Sequence, residues 1–402
     1  MQGKPYAGNP HVRFDEGAGA LRHSGRSALL YNTRREFINS AAAAAASAMA
    51  GCVSREHSPR PQADFLAAEL IQLGCNIQKA PGEGRGGVVP ENITDPELAE
   101  SVERFYLYSD RIKFDESVWR DVSDHFRSRG VNAIVIDLGD SVVYPRHPEI
   151  AIRGAWSVEK LRKELSRLRS MGFEPIPKLN FSTTHNPWMG EWRKMVSSKA
   201  YYGFCRDMIR DVMEIFDCPR YFHIGCDEER LPPQDSKIKY VVVRQGDLWY
   251  HDLNQLVREV ESHGARAWMW SDACWSNPDE YIRKVPRTVL QSNWYYREFG
   301  EADLAKYTPE RRKFLAVARE TYHVLDKSGY DQIPCSSNFY DGNRTMEDTA
   351  VYAREKLTAS RVKGLMMASW VTMEPVAKNR ICEGADRLCD AMKIWRGKGA
   401  NS

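Results

Sequence analysis

The chain has 402 residues, 42% of them hydrophobic and 28% charged, so it is long enough to bury one large core or two smaller ones. Its 57 basic and 54 acidic residues give a formal net charge of +3, and this near balance gives no support to a nucleic-acid or anionic-membrane surface. The 11 Trp, 18 Tyr and 14 Phe residues can fill a core or form stacking platforms for planar ligands and sugar rings.

An export pattern is the first feature along the chain. Arg34 and Arg35 precede a short stretch of small apolar residues, 41–50, which is typical of twin-arginine (Tat) signals. The stretch is too short to cross a bilayer, which takes about 20 residues. The small residues before Cys52 resemble a bacterial lipobox. We therefore predict a signal region at residues 1–52, with a lipid anchor at Cys52 left open, and a protein exported to the periplasm or the cell surface of a bacterium.

The remaining cysteines are expected to be buried free thiols. None has the CxxC spacing of common zinc sites. Tat substrates fold in the reducing cytoplasm before export, which favours free thiols. These cysteines are Cys75, Cys205, Cys218, Cys226, Cys274, Cys335, Cys382 and Cys389.

A flexible tether at residues 53–64 is predicted from its Pro, Ser and charged residues. After it, short apolar runs alternate with amphipathic stretches, which indicates repeated βα units. The predicted strands are 70–77, 131–138, 173–181, 220–226, 265–270, 288–293, 332–338 and 364–370, with 105–108 as a rival for the first. The predicted helices are 115–130, opened by Asp115 as N-cap, then 156–171, 200–216, 247–262, 309–328, 346–357 and 383–395.

Eight strands alternating with helices predict a (β/α)8 TIM barrel over residues 65–398. A doubly wound sheet is the alternative. Such a sheet binds its nucleotide through a Gly-rich phosphate loop after the first strand, and no GxxxxGK[ST] loop occurs in the chain. We therefore expect a barrel and no nucleotide cofactor.

Polar and aromatic residues collect where the predicted strands end, and this is where barrels place their chemistry. Aromatic rings pack against the CH faces of sugars, while carboxylates and amides bind hydroxyls. The sequence thus predicts a carbohydrate site at this rim. Its members are Asp137, Asp140, Asn180, His185, Trp188, Asp227, Glu228, Glu229, Trp270, Asp272, Trp275, Gln291, Asn293, Trp294, Tyr295, Asn338, Tyr340, Asp341, Trp370 and Glu374.

The run of acids after the fourth strand is the densest part of this rim. Strand alternation puts His223, Gly225 and Asp227 on one face. Glu228 should point to the other face, unless the pleat ends before it. Glu229 is expected to form a surface ion pair with its neighbour in sequence, an arginine.

Residues 223–228, His-Ile-Gly-Cys-Asp-Glu, resemble the His-x-Gly-Gly-Asp-Glu signature of family 20 glycoside hydrolases, the β-N-acetylhexosaminidases. In that family the signature closes strand 4 of a (β/α)8 barrel. Other segments are similar to the family's strand ends in the matching order. These are 178–181 with His185 (strand 3), 270–272 (strand 5), 291–294 (strand 6), 338–341 (strand 7) and Trp370 with Glu374 (strand 8).

The chain also departs from the family pattern. Cys226 replaces the second glycine, Asn180 replaces an aspartate, and the spacing from Trp370 to Glu374 is longer. The family's strand-1 arginine, which holds sugar hydroxyls, has only Arg111 as a candidate here.

The resemblance implies an exo-acting, retaining enzyme without a metal or cofactor. Glu228 would be the general acid and base, and Asp227 would orient the acetamido group of the substrate, which attacks the anomeric carbon. Substrate-binding roles would fall to His185, Asn180, Trp270, Asp272, Trp294, Tyr340, Asp341, Trp370 and Glu374.

Three other functions stay open at this stage. One is a glycosidase of different sugar specificity, and another is a non-catalytic carbohydrate-binding lipoprotein on the same barrel. The third is a metal-dependent hydrolase, which ranks last because the chain contains no HxH pair. The sequence does not determine the oligomeric state.

Overall fold

The computed structural model describes residues 62–82, 93–229, 244–340 and 344–397. The predicted signal region and most of the tether lie outside these residues. Among the helices that are described, none combines the length and apolar character needed to cross a membrane.

Eight parallel strands form the wall of the fold. They pair in the order β6-β5-β4-β3-β2-β1-β8-β7. Isolated parallel bridges from Gln291 to Gln332 and from Trp294 to Cys335 join the β6 and β7 segments, so the sheet curls into a nearly closed barrel. The strands are β1 (Leu66–Gln72), β2 (Ala133–Asp137), β3 (Glu174–Lys178), β4 (Tyr221–His223), β5 (Arg266–Trp270), β6 (Leu290–Ser292), β7 (Cys335–Ser336) and β8 (Gly364–Ala368).

Helices surround this wall and alternate with the strands, which confirms the (β/α)8 prediction. Asp115 caps its helix as expected, because its side chain accepts from the N–H groups of Ser117 and Val118. The described α-helices are α1 (Pro96–Tyr106), α2 (Glu116–Ser128), α3 (Val158–Ser170), α4 (Lys199–Ile215), α5 (Gly246–Ser262), α6 (Pro278–Lys284), α7 (Glu301–Leu304), α8 (Pro309–Lys327), α9 (Thr345–Lys356) and α10 (Lys378–Trp395).

Two hydrophobic layers hold the barrel together. Alternate strand residues such as Ala68, Val135 and Trp268 fill its interior. The residues between them, such as Ile71 and Ile134, pack outward against the helices. Because the strand period is two, this alternation also decides which residues reach the mouth of the barrel.

The first strand was predicted four residues too late. It spans Leu66–Gln72, and the N–H groups of Leu73 and Gly74 then both donate to the carbonyl of Asp137, which takes the chain out of the ladder. The rival strand at 105–108 is wrong, because its first two residues end α1. Asp95 caps α1 and Pro96 opens it, and these are ordinary start signals for a helix.

The cysteine prediction is largely confirmed. Seven free thiols are found in the described residues, five of them buried. Cys218 is the exception because it is disulfide-bonded.

We expect Trp268→Ala to destabilise the barrel strongly. The Trp268 side chain is fully buried, and its indole donates to Ser292 Oγ at 2.8 Å. Removing a buried tryptophan costs about 3–5 kcal/mol of unfolding free energy. Urea denaturation would measure the loss, with Val143→Ala as control, since Val143 is 39% exposed and its truncation should cost less than about 0.5 kcal/mol. Equal losses in both variants would contradict the interior packing.

Candidate active site

The backbone that follows β4 has unusual torsion angles, and these angles position the two acids of the site. The strand stops at His223, and Gly225, Cys226 and Glu228 then adopt positive φ angles of 72°, 65° and 57°. A Cβ on Gly225 would lie 2.0 Å from Asn180 Oδ1, so only glycine fits there. A non-glycine residue in this region costs about 1–3 kcal/mol, and such strain is concentrated at functional sites. The pleat therefore ends before Asp227, and strand alternation no longer separates the two acids.

Asp227 is clamped by the loop after β3. Its carboxylate accepts from Asn180 Nδ2 at 2.8 Å. Its backbone carbonyl accepts from Ser182 Oγ at 2.5 Å and from Thr184 Oγ1 at 3.2 Å. The side chain is buried, so these contacts fix one orientation of the carboxylate.

His185 bridges the two acids. Its Nε2 lies 3.1 Å from Glu228 Oε2 and 3.4 Å from Asp227 Oδ2, and its Nδ1 lies 3.3 Å from the carbonyl oxygen of Ile77. Burial alone would lower the pKa of His185, but the charges and hydrogen bonds of the two acids raise it well above its ordinary value. All three facing atoms are acceptors, as a doubly protonated imidazolium requires.

The charge of Asp227 is held by its neighbours. Burial would raise the pKa of this carboxyl, but His185, then Lys178 and Asn180, bring it well below the usual range. Asp227 is therefore an anion at any ordinary pH, surrounded by groups that favour that state.

Glu228 is the accessible member of the pair. Its side chain is 52% exposed, and its backbone N–H donates to Asp272 Oδ2 at 2.9 Å. Asp272 is buried, so it supports the left-handed backbone of Glu228 from below. The carboxylate is therefore accessible from solvent.

Aromatic side chains line the side of the mouth opposite β3. The Trp270 and Trp370 ring centroids lie 5.9 Å apart, and Trp294 stacks on Tyr296 at 5.1 Å. Trp370, with a positive φ of 54°, donates its indole N–H to Tyr296 Oη at 3.1 Å. Burial is the main cause that raises the pKa of Tyr296, and the charges of the two acids add to it. Tyr296 thus interacts both with Trp370, through a hydrogen bond, and with the charges of the two acids.

Two wall residues were missed by sequence reasoning. Tyr296 was passed over for Tyr295, which instead packs into a cluster under α8 with Leu315 and Tyr322. Tyr106 was assigned to a rival strand. Tyr106 packs in a cluster with Tyr340 and Trp370, and burial, followed by the charge of Glu228, raises its pKa.

Glu374 and Tyr340, two further predicted sugar-binding residues, are held by neighbouring side chains. Glu374 is bound by Arg104 Nη1 at 3.0 Å and by Thr372 Oγ1 at 2.7 Å. Tyr340 packs beside Tyr106 and Trp370, and the Arg297 guanidinium carbon lies 3.4 Å from its ring centroid. Asp341 lies outside the described residues.

Some rim candidates serve structural roles. Glu229 does not lie at the surface as predicted: its buried carboxylate binds Arg244, which also pairs with Asp252 at 3.2 Å. The arginine predicted as its partner lies outside the described residues. Arg111 is exposed in the connection between α1 and α2, and the inward residue that ends β1 is Gln72. The amides of Gln291, Asn293 and Asn338 bond to α6, α8 and the start of α10.

Two buried acids at and just after the end of β2 are also held by neighbours. Asp137 forms a fully buried ion pair with Lys178. Asp140 accepts from Asn76 Nδ2 at 2.8 Å, and burial raises the pKa of Asp140 to about 7. No group of three metal-ligating side chains occurs within the described residues.

The fold is similar to that of solved β-N-acetylhexosaminidases. The enzyme from Bacteroides fragilis matches with a TM-score of 0.52 and 10% identity, over 82% of this chain and 66% of that protein. At this identity the likeness establishes a shared fold. The family 20 exo-β-N-acetylglucosaminidase from Vibrio harveyi, in complex with N-acetylglucosamine, matches with a TM-score of 0.49 and 12% identity, over 83% of this chain and 56% of that protein.

The Streptomyces plicatus N-acetyl-β-hexosaminidase, in complex with Thio-NAglucal, matches at a TM-score of 0.48 and 13% identity, over 72% of this chain and 67% of that protein. The chain thus spans between about half and two thirds of these relatives. No protein-family model and no curated protein matches the chain.

We expect Gly225→Ala to destabilise the protein far more than Gly172→Ala. Both glycines have positive φ, but a Cβ at Gly172 would have no neighbour within 4 Å. The backbone cost of about 1–2 kcal/mol is common to both, and only Gly225→Ala adds a collision with Asn180. Urea denaturation of the two variants measures the difference. Similar unfolding free energies would mean that Asn180 does not restrict this turn.

His185→Gln should destabilise the protein in a pH-dependent way. The raised pKa of His185 adds stability that is complete below about pH 6.5 and is lost as pH rises through the folded value. The lowered pKa of Asp227 adds stability that is complete above about pH 4 and is lost as pH falls. The loss in His185→Gln should therefore peak between these limits, at roughly 3–5 kcal/mol for a broken buried pair.

Urea denaturation across pH 3–9 would measure this profile. His251→Gln is the matched control, because His251 is exposed and should give a small and flat difference. A pH-independent loss in His185→Gln would contradict the charged bridge.

Proposed function

We propose that this chain is a retaining exo-β-N-acetylhexosaminidase that works by substrate-assisted catalysis. The observation that carries the proposal is the paired presentation of Asp227 and Glu228 at the barrel mouth, with His185 between them. The aromatic wall and the shared fold support it. Export through the Tat pathway belongs to the same proposal.

Glu228 would be the general acid and base. It is the accessible acid, so the glycosidic oxygen of a substrate can approach it. In the first step it would protonate the leaving oxygen while the acetamido oxygen attacks the anomeric carbon. In the second it would take a proton from the water that opens the resulting oxazoline-type intermediate.

Asp227 would orient the acetamido group. It is an anion held in one orientation by Asn180 and His185, and so it can accept a hydrogen bond from the acetamido N–H. This polarises the group and stabilises the positive charge that develops on it. The partly exposed indoles of Trp294 and Trp370 would pack against the sugar and exclude water, with the buried Trp270 supporting Trp370 from within the barrel.

A carbohydrate-binding protein without turnover is the second candidate. The chain ends β1 with Gln72 rather than a basic residue, and Glu374 is already occupied by Arg104. Both features reduce the charged groups that are free to hold sugar hydroxyls.

Hydrolysis of chromogenic glycosides tests the proposal. We expect turnover of β-N-acetylglucosaminide or β-N-acetylgalactosaminide and none of plain β-glucoside, which lacks the acetamido nucleophile. Asp227→Asn and Glu228→Gln should each lower kcat/KM by roughly 10²–10⁴-fold. Glu191→Gln is the control, because Glu191 lies on the loop after β3 and is 79% exposed.

The other outcomes are equally informative. Turnover of the plain glucoside would contradict the substrate-assisted mechanism and favour a glycosidase of other specificity. No turnover, together with a rise in melting temperature on adding N-acetylglucosamine, would favour the binding protein.

A further inference from the structure

A layer of polar side chains lies inside the barrel directly beneath the acid pair. Cross-strand partners in the ladder are Gln72 with Asp137, Asp137 with Lys178, and Lys178 with His223. The Trp270 ring lies 4.7 Å from that of His223. All five side chains are buried, and we call them the polar layer.

Lys178 is the cation of this layer, and its burial needs a reason. Its ammonium is bound by Asp137, and neither side chain is exposed. A buried ion pair seldom adds stability over apolar residues of similar size, because both charges lose their water. Apolar residues such as Val135 and Ile176 already fill the level below. Stability alone therefore does not account for the pair.

The pair acts first on His223. The N–H of Gly225 donates to His223 Nδ1 at 3.1 Å, which requires this nitrogen to carry no proton. Burial, and then the charge of Lys178, lower the pKa of His223 well below its ordinary value. His223 is therefore neutral and can accept the bond that anchors the left-handed turn leading to Asp227.

The pair acts second on Asp227 itself. Lys178 lies on β3, whose neighbour β4 leads directly to Asp227, whereas Asp137 lies one strand further away. By strand order the cation of the pair lies one strand nearer to β4 than the anion does. Burial raises the pKa of Asp227, and His185 lowers it most. In agreement with the strand order, the positive charge of Lys178 lowers it further.

We propose that Lys178 is a positioning residue, whose buried positive charge favours the anionic form of Asp227 and the neutral form of His223 that accepts from the N–H of Gly225. This deepens the proposed function, on which its catalytic meaning rests. In the reaction Lys178 would touch no substrate. It would fix the charge and place of the carboxylate that orients the acetamido group.

Other charged and titratable groups also act on Asp227. His185 and Glu228 lie beside it, His223 ends β4, and Cys226 directly precedes Asp227 in the turn that follows. Asp137 on β2 and Tyr296 after β6 also interact with its charge. The test must therefore change the charge of Lys178 while these groups stay in place.

The titration of Asp227 tests the proposal without needing turnover. Protein labelled with ¹³C in the aspartate carboxyls is titrated by NMR, with Asp227→Asn to assign the resonance. In Lys178→Met the Asp227 midpoint should rise by about one pH unit or more, the usual effect of losing a nearby opposite charge. Lys178→Arg keeps the charge and should leave the midpoint within a few tenths of a unit. An unchanged midpoint in folded Lys178→Met would overturn the proposal.

A second variant covers the case in which Lys178→Met fails to fold. Asp137→Asn with Lys178→Met removes both charges and leaves no unpaired ion. Because Lys178 lies on the strand next to β4 and Asp137 one strand beyond it, a smaller upward shift of the midpoint is expected. No shift in this folded double variant would also overturn the proposal.

Kinetics separate this proposal from the proposed function. If the wild type hydrolyses acetamido sugars, the acidic limb of kcat/KM should move upward with the Asp227 midpoint in Lys178→Met. If Lys178 had only a structural role, Lys178→Met would lower kcat and leave the acidic limb unchanged. That result would contradict the proposal. If the wild type has no turnover, the proposed function fails, while the titration still decides the role of Lys178.

Discussion

The space that Asn180 occupies beside the end of β4 is the constraint on which the site depends. No side chain fits at Gly225 because Asn180 Oδ1 is already there, and the same oxygen accepts from the N–H of Cys226 at 3.3 Å and of Ser182 at 3.0 Å. One amide thus joins the ends of two strands. Its other end donates to Asp227, so backbone geometry and carboxylate orientation are fixed by the same residue.

This constraint explains the two uses of strain in the site. Cys226 and Glu228 hold backbone angles that favour glycine, and neighbouring groups keep them there. Cys226 is held by the Asn180 amide, and Glu228 by the carboxylate of Asp272. A relaxed extended strand would turn the two acids to opposite faces. The strained backbone at Cys226 and Glu228 is therefore needed for the two acids to lie in the same site.

The sequence was sufficient to predict the barrel, because eight apolar runs with helical intervals leave few architectures. The ends of the strands were less predictable. β7 has two residues and β4 has three. β4 ends where the backbone turns to positive φ at Gly225 and Cys226, and no local sequence pattern reveals that turn. The first strand was misplaced because its apolar run continues past the last ladder residue.

The site was predictable in its acids and less so in its surroundings. Asp227 and Glu228 were found from their position after an apolar run. The burial of Glu229 depends on Arg244, fifteen residues later in the chain, and the role of Tyr296 depends on its contact with Trp370. Lys178 gave no pattern at all, because a lysine inside a strand is ordinarily expected at the surface.

The buried thiols carry a consequence for the life of the folded chain. Burial raises the pKa of Cys75, Cys205 and Cys274 to about 12, so almost none of the reactive thiolate exists at neutral pH. Oxidants can then reach these sulfurs only when the barrel opens. Each irreversible oxidation at these three sites would record one opening event, so the rate of their oxidation would be limited by how often the barrel opens.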